Sequence, residues 1–256
     1  MILERAEHPD WLSNAYLIAS EPGGTGVLVD SNEVTEPLTD RVNKEGIEIT
    51  HVLLTHHHWD HVVGAEKLAE RYGVPVVAHE LTAKALGGDV VTETFTDGDV
   101  VESGELRIRA IHTPGHCADH TALLIGDSDC LTADVLFRGT VGGTMAPGAT
   151  GFADLKSSIM DKLMELPPET RIHPGHTVPS TIGEEWEDNP FIRIWRGLDG
   201  EGTDRCTVGP PDADERREAT LVVWASDYDG GNKAWVRFED DGEDAVVGGS
   251  QVRREA

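Results

Sequence analysis

Short apolar runs broken by glycine, proline and acidic residues recur through the first two thirds of the chain and set its expected elements. Residues 14–19 and 26–30, separated by Glu21-Pro22-Gly23-Gly24, predict a β-hairpin. Residues 34–45 predict a helix closed by Gly46, and residues 49–55 a buried strand. A second helix is expected over 63–72, ending at Gly73. Strands follow at 74–78 and 90–94 around a short helix at 81–86, and residues 106–112 alternate apolar and polar as a half-buried strand does. Two more strands (121–125, 130–133), a glycine-rich loop (139–151), an amphipathic helix (152–166) and a strand at 170–173 complete this part. Helices and strands in such mixture predict an α/β class with much of the sheet antiparallel.

After Arg196 the pattern changes. Residues 197–218 are rich in Gly, Pro and acidic positions and predict a linker, and 219–256 a small β-rich C-terminal module, with strands at 221–226, 233–238 and 244–247 between Asp-Gly turns. The expected organisation is therefore a main domain over 1–196, the linker, and the module; no internal repeat is evident.

Charge narrows the function classes. With 47 acidic against 21 basic residues the formal charge is −26 and the pI about 4.6, which argues against nucleic acid as a partner. The acidic excess is spread along the chain, a whole-surface property that suits concentrated salt and leads us to expect a halophilic, archaeal source. Cys117, Cys130 and Cys206 form neither an even set nor a C-x-x-C pair, so a reducing compartment is the simplest expectation. Charge enters at Glu4 and Arg5 before any apolar segment of signal length, and no stretch approaches ~18 apolar residues. A cytoplasmic protein without a membrane partner is expected.

The candidate chemistry lies in Thr55-His56-His57-His58-Trp59-Asp60-His61, directly after the apolar run of the third strand. Imidazoles crowded in this way repel when protonated, and a bound cation removes the objection. Further candidates follow three other strands: His116 after Thr113-Pro114-Gly115, Asp134, and His176 after Pro174-Gly175. Loops beyond strand ends are where α/β folds place their sites. His56, His58, Asp60, His61, His116, Asp134 and His176 together suit one or two divalent ions of the zinc type, with iron and manganese served by the same donors, whereas calcium or magnesium would want nearly all oxygen. His57 is expected to pack or to support a ligand, and His173 and His120 to orient ligands. His51, His79 and His112 are expected as strand or surface residues.

Taken together, Thr55 to His61, Thr113-Pro114-Gly115-His116, Asp134 and Pro174-Gly175-His176 resemble the metallo-β-lactamase superfamily, and His57-His58-Trp59-Asp60 is most similar to its glyoxalase II (hydroxyacylglutathione hydrolase) branch. The segment 134–144, Thr181-Ile182-Gly183-Glu184 and Asn189-Pro190-Phe191 resemble compact members of that branch. The resemblance implies a four-layer αββα sandwich over about residues 1–196, with a small β-rich extension. It also implies two metal ions, His56, His58 and His116 holding the first, Asp60, His61 and His176 the second, and Asp134 bridging. The chain departs from that pattern in two places. Longer members follow the metal domain with a helical domain that helps bind glutathione, where this chain has a β-rich tail. Compact members often carry Gly-Arg-Thr-Asp where this chain reads Gly142-Gly143-Thr144-Met145. With the charge reading, the resemblance points to a glutathione substitute such as γ-glutamylcysteine.

The expected activity is hydrolysis of a small-molecule thioester by a metal-bound hydroxide that Asp60 orients, since a thiol of pKa ~8.5 leaves without a strong general acid. Two alternatives stand beside it: a mono-iron persulfide (sulfur) dioxygenase of the same superfamily, by resemblance using His56, His116 and Asp134, and a non-catalytic binding protein whose metal is structural. Seven ligands exceed the four of a closed structural site and favour an open centre. The tail, with Trp224, Trp235 and Phe238, is expected either to pack on the main domain or to make a homodimer contact.

Overall fold

The computed structural model describes residues 1–87, 90–213 and 215–255, so position 214 of the expected linker and position 256 of the module lie outside the described residues. The chain divides into two compact units. One holds Met1–His112, Asp119–Ala133 and His173–Thr177, the other Thr113–Ala118, Asp134–Ile172 and the chain from Val178 onward.

The first unit contains a six-stranded sheet. Ile2–Glu7, Asn14–Ala19 and Thr25–Val29 form an antiparallel meander, and Glu48–Leu53, Val76–His79 and Glu93–Phe95 continue it in parallel. Its inner strands are apolar without alternation because both faces are covered. On one face Leu17, Leu28, Val52 and Leu54 pack with Leu38 and Val42 of helix Glu36–Glu45 and Ala65, Leu68 and Ala69 of helix Ala65–Tyr72. On the other, Tyr16, Ile18, Val27, Val29 and Leu53 meet Ile108, Ala110, Leu123 and Leu131 of a second sheet. That sheet runs antiparallel through Val100–Ser103, Leu106–His112, Thr121–Ile125 and Asp129–Ala133. The result is helix, sheet, sheet in successive layers, a mixed α/β fold.

Gly46 and Gly73 end their helices in the left-handed conformation, as the sequence pattern requires. Of the boundaries that differ from expectation, three have a clear physical cause. The second helix begins at Ala65 rather than 63, because Val63 is extended and its carbonyl accepts from the Ser31 hydroxyl at 2.6 Å, leaving a separate turn of helix at Trp59–Val62. The strand expected at 90–94 sits at Glu93–Phe95, where it pairs with Val77–His79. The helix expected over 152–166 is α-helical only for Phe152–Ser157 and widens to π geometry over Ser158–Leu163, where the Ser158 hydroxyl donates to the Pro114 carbonyl at 2.6 Å.

In the second unit, helices Ile182–Asp188 and Pro190–Trp195 start at well-formed caps, Thr181 with Glu184 and Asn189 with Pro at the first position. Beyond them lies a five-stranded antiparallel sheet with strands Asp204–Val208, Arg217–Ser226, Asn232–Phe238, Asp244–Gly248 and Val252–Arg254. Its first strand falls inside the stretch expected as linker. Cys206 and Val208 alternate inward there and join Leu221, Val236, Phe238 and Val247 in a core of the sheet's own. Among the described residues, no helix is long and apolar enough to cross a membrane.

Candidate metal centre

In the first unit the site grows from two parallel strands that end side by side. Thr25–Val29 and Glu48–Leu53 pair in parallel with Val29 opposite Leu53, past a register shift between Gly26 and Val27, so Asp30 and Thr55 just beyond them emerge at one edge. Asp30 is buried, in the left-handed region (φ 57), and its carboxylate accepts from the Thr55 amide (2.8 Å), the Thr55 hydroxyl (2.8 Å) and His61 Nδ1 (3.0 Å). An ionised carboxylate can only accept, so His61 Nδ1 carries a proton, and in the neutral ring Nε2 keeps its lone pair. Because the Thr55 hydroxyl spends its proton on Asp30, it accepts from His56 Nδ1 at 3.0 Å, and His56 is fixed in the same tautomer. One carboxylate thereby orients two imidazoles.

Around this anchor the cluster is tight. Ring centroids lie 4.5 Å apart for His56 and His61, 4.8 Å for His56 and His58, and 5.4 Å for His61 and His176. Asp60 Oδ2 is 3.6 Å from His61 Nε2 and 3.5 Å from His176 Nε2, and the three residues form a group able to hold one ion. His176 is brought there by the loop 174–177. The Tyr16 hydroxyl donates to the Pro174 carbonyl (2.6 Å), and Asn14 Nδ2 donates to the carbonyls of Pro174 and Thr177 (both 2.9 Å). Burial holds the Tyr16 phenol well above its usual pKa, so it remains a donor.

The second unit holds the other two candidates. His116 Nε2 is 3.6 Å from Asp134 Oδ2, and His116 Nδ1 donates to the Gly143 carbonyl at 2.9 Å, again leaving Nε2 as the donor atom for a cation. Gly115 is required: at φ 140 a Cβ would come within 2.4 Å of Leu155 Cα. Gly142 is required too, since a Cβ would meet the Asp134 carbonyl oxygen at 2.0 Å.

The structure thus brings His56, His58, Asp60, His61 and His176 together in one unit, and His116 with Asp134 in the other. Imidazoles of which three, His56, His61 and His116, already commit Nδ1, together with carboxylate oxygens, are a donor set for zinc, iron or manganese. His57 instead gives Nδ1 to Asp119 at 2.7 Å, and Asp119 also accepts from Thr82 (2.9 Å). His173 pairs with Asp129 at 2.8 Å, and His79 stacks on His112 with centroids 4.5 Å apart. Asn14, Tyr16, Asp30 and Asp119 were not singled out in the sequence. For Asp30 there was a signal, a lone carboxylate closing the apolar run Gly26-Val27-Leu28-Val29.

The family model described as the metallo-beta-lactamase superfamily matches residues 8–176. A hydroxyacylglutathione hydrolase of Rhodopseudomonas palustris is 32% identical over 217 residues, 70% of this chain and 82% of the relative. Among solved structures, ETHE1 from Myxococcus xanthus superposes with a TM-score of 0.67 at 29% identity, covering 78% of this chain and 92% of that one. TTHA1623, in a di-iron-bound form, gives 0.61 at 32% identity, covering 75% and 100%. With histidines and aspartates grouped at the ends of its strands and the family's model spanning both sheets, the chain belongs to the metallo-β-lactamase superfamily.

Proposed function

We propose that the protein is a metal-dependent hydrolase of a small-molecule thioester, similar in chemistry to hydroxyacylglutathione hydrolases, with His56, His58, Asp60, His61, His116, Asp134 and His176 as ligands of two divalent ions, zinc first. The observation that carries the proposal is that His61 and His116 each commit Nδ1–H, to Asp30 and to the Gly143 carbonyl, and direct Nε2 toward a carboxylate 3.6 Å away. Neutral imidazoles fixed in this tautomer bind cations without first shedding a proton. The 32% identity to a hydroxyacylglutathione hydrolase supports the substrate class.

When bound, the ions supply Lewis acidity toward a carbonyl and a nucleophile at neutral pH. The protein's own residues do the rest. Asp60 is the most open member of its group, its side chain 29% exposed against 0% for His61 and 4% for His176. That exposure supports its proposed role of orienting the attacking hydroxide. Asp30, Thr55 and the Gly143 carbonyl keep the imidazoles from turning. The leaving thiolate asks little of the protein, since a thiol of pKa ~8.5 departs without a general acid.

The test is hydrolysis of lactoyl thioesters of several small thiols, assayed in molar salt with parallel metal analysis. His58→Ala should keep the fold and lose turnover; unchanged turnover in that variant would sink the proposal. The second reading, a mono-iron persulfide dioxygenase, draws on the 29% identity to ETHE1 from Myxococcus xanthus. About one iron per chain with oxygen uptake on a persulfide, and no thioester hydrolysis, would replace the first reading with the second.

A further inference from the structure

Thr144 joins the C-terminal sheet to the loop that touches the candidate ligands of its own unit. Asp244–Gly248 is an edge strand, paired with Asn232–Phe238 on one side. On its other side, at Val246, the Thr144 amide donates to the Val246 carbonyl at 2.9 Å and the Val246 amide donates to Thr144 Oγ1 at 2.9 Å. Both main-chain groups of a fully buried edge residue are thus satisfied by a single threonine from a distant loop.

The two residues before it face the site. The Gly143 carbonyl receives His116 Nδ1–H at 2.9 Å. Gly142 runs so close to Asp134 that an added Cβ would lie 2.0 Å from the Asp134 carbonyl oxygen and 3.4 Å from His116 Cβ. Three consecutive residues therefore touch Asp134, His116 and the C-terminal strand in turn. The same loop is tied to the His116 segment further on, through Ala118 N–H to the Gly148 carbonyl (2.9 Å) and Thr150 N–H to the Gly115 carbonyl (3.1 Å).

We propose that the C-terminal five-stranded module is a clamp on the ligand-bearing loop, with Thr144 as its positioning residue. Bridging Thr144 to Val246 fixes Gly143, the Gly143 carbonyl fixes the ring of His116, and the direction of its Nε2 sets how tightly an ion is held there. Outer partners of this kind typically change metal affinity about 10- to 100-fold when removed. The proposal rests on His116 being a metal ligand. It gives the module a task that its own compact core does not require, since Thr144 is no part of that core.

The experiment compares Thr144→Val, which keeps the shape and the amide bond but removes the acceptor for Val246 N–H, with Thr144→Ser, which keeps that acceptor. Metal affinity is measured by chelator competition on the purified protein, alongside far-ultraviolet circular dichroism of the metal-free form. The clamp predicts a native spectrum for both, an affinity loss of about tenfold or more for one ion in Thr144→Val, and affinity close to that of the unaltered protein in Thr144→Ser. Unchanged affinity in Thr144→Val, or an equal loss in both variants, overturns it. His116→Ala separates the two levels. If that variant keeps full metal content and affinity, the ligand reading itself fails; if it loses an ion while Thr144→Val loses none, only the clamp fails.

Discussion

The Asp30 carboxylate accepts the Nδ1 proton of His61 at 3.0 Å while holding the Thr55 hydroxyl that in turn accepts from His56. Two histidines of the cluster are therefore oriented by a residue about thirty positions away, on the neighbouring parallel strand. Asp30→Asn tests this with little backbone cost, because asparagine tolerates the left-handed region better than other replacements. An amide offers one acceptor oxygen where the carboxylate offers two, so the expected outcome is a metal affinity reduced about 10- to 100-fold with native secondary structure, read by chelator competition. Undiminished affinity would remove Asp30 from the site.

Gly142→Ala is expected to be severe for its size. Its Cβ would be placed 2.0 Å from the Asp134 carbonyl oxygen, a main-chain atom that cannot swing aside. Overpacking of this kind costs about 1 to 3 kcal/mol, and the displacement falls on a candidate ligand. A lowered midpoint in urea together with loss of bound metal is the expected pair of results; a shift in neither would show that the loop gives way.

Acid should weaken the fold through His79. Burial first, then the stacked His112, hold its pKa below the ordinary 6.5, and its Nδ1 accepts from the Leu81 amide at 3.2 Å at the start of helix Glu80–Leu86. Protonation would remove that acceptor. With the folded pKa below the unfolded one, the stabilisation is whole above pH ~6.5 and is lost as pH falls below it, because the unfolded chain then binds the proton more readily. Unfolding midpoints from pH 7.5 to 5 should decline, and less steeply in His79→Gln; an identical slope in the variant would assign the decline to other groups.

Net charge makes a separate forecast. At −26 the surface repels itself, and the screening length shortens from about 10 Å at 0.1 M salt to about 3 Å at 1 M. The thermal midpoint should rise between 0.1 and 2 M KCl. A flat or falling curve would mean that ion pairs such as Arg217 with Asp240 and Asp241 or Arg237 with Glu201 and Asp244 already offset the repulsion.

The sequence by itself determined the α/β class, most strands and helices of the first unit, and the chemical type of the site. Those follow from local properties: apolar runs make the strands, Gly46 and Gly73 end the helices, and histidines at such density imply a cation. Tertiary structure decided which partners orient the candidates. Tyr16 and Asn14 carry no mark in the sequence and Asp30 only that of a lone carboxylate closing an apolar run, because their roles arise when parallel strands end together and when a loop more than 150 residues away folds against Asn14 and Tyr16. It also found the strand Asp204–Val208 inside apparent linker, whose alternation is too short to stand out until Cys206 and Val208 have a core to enter. The link between the tail and the loop of His116 is likewise tertiary, since two hydrogen bonds between Thr144 and Val246 join residues 102 positions apart. Periodicity reports what a residue does to its own segment, whereas the fold alone reports what it does to another.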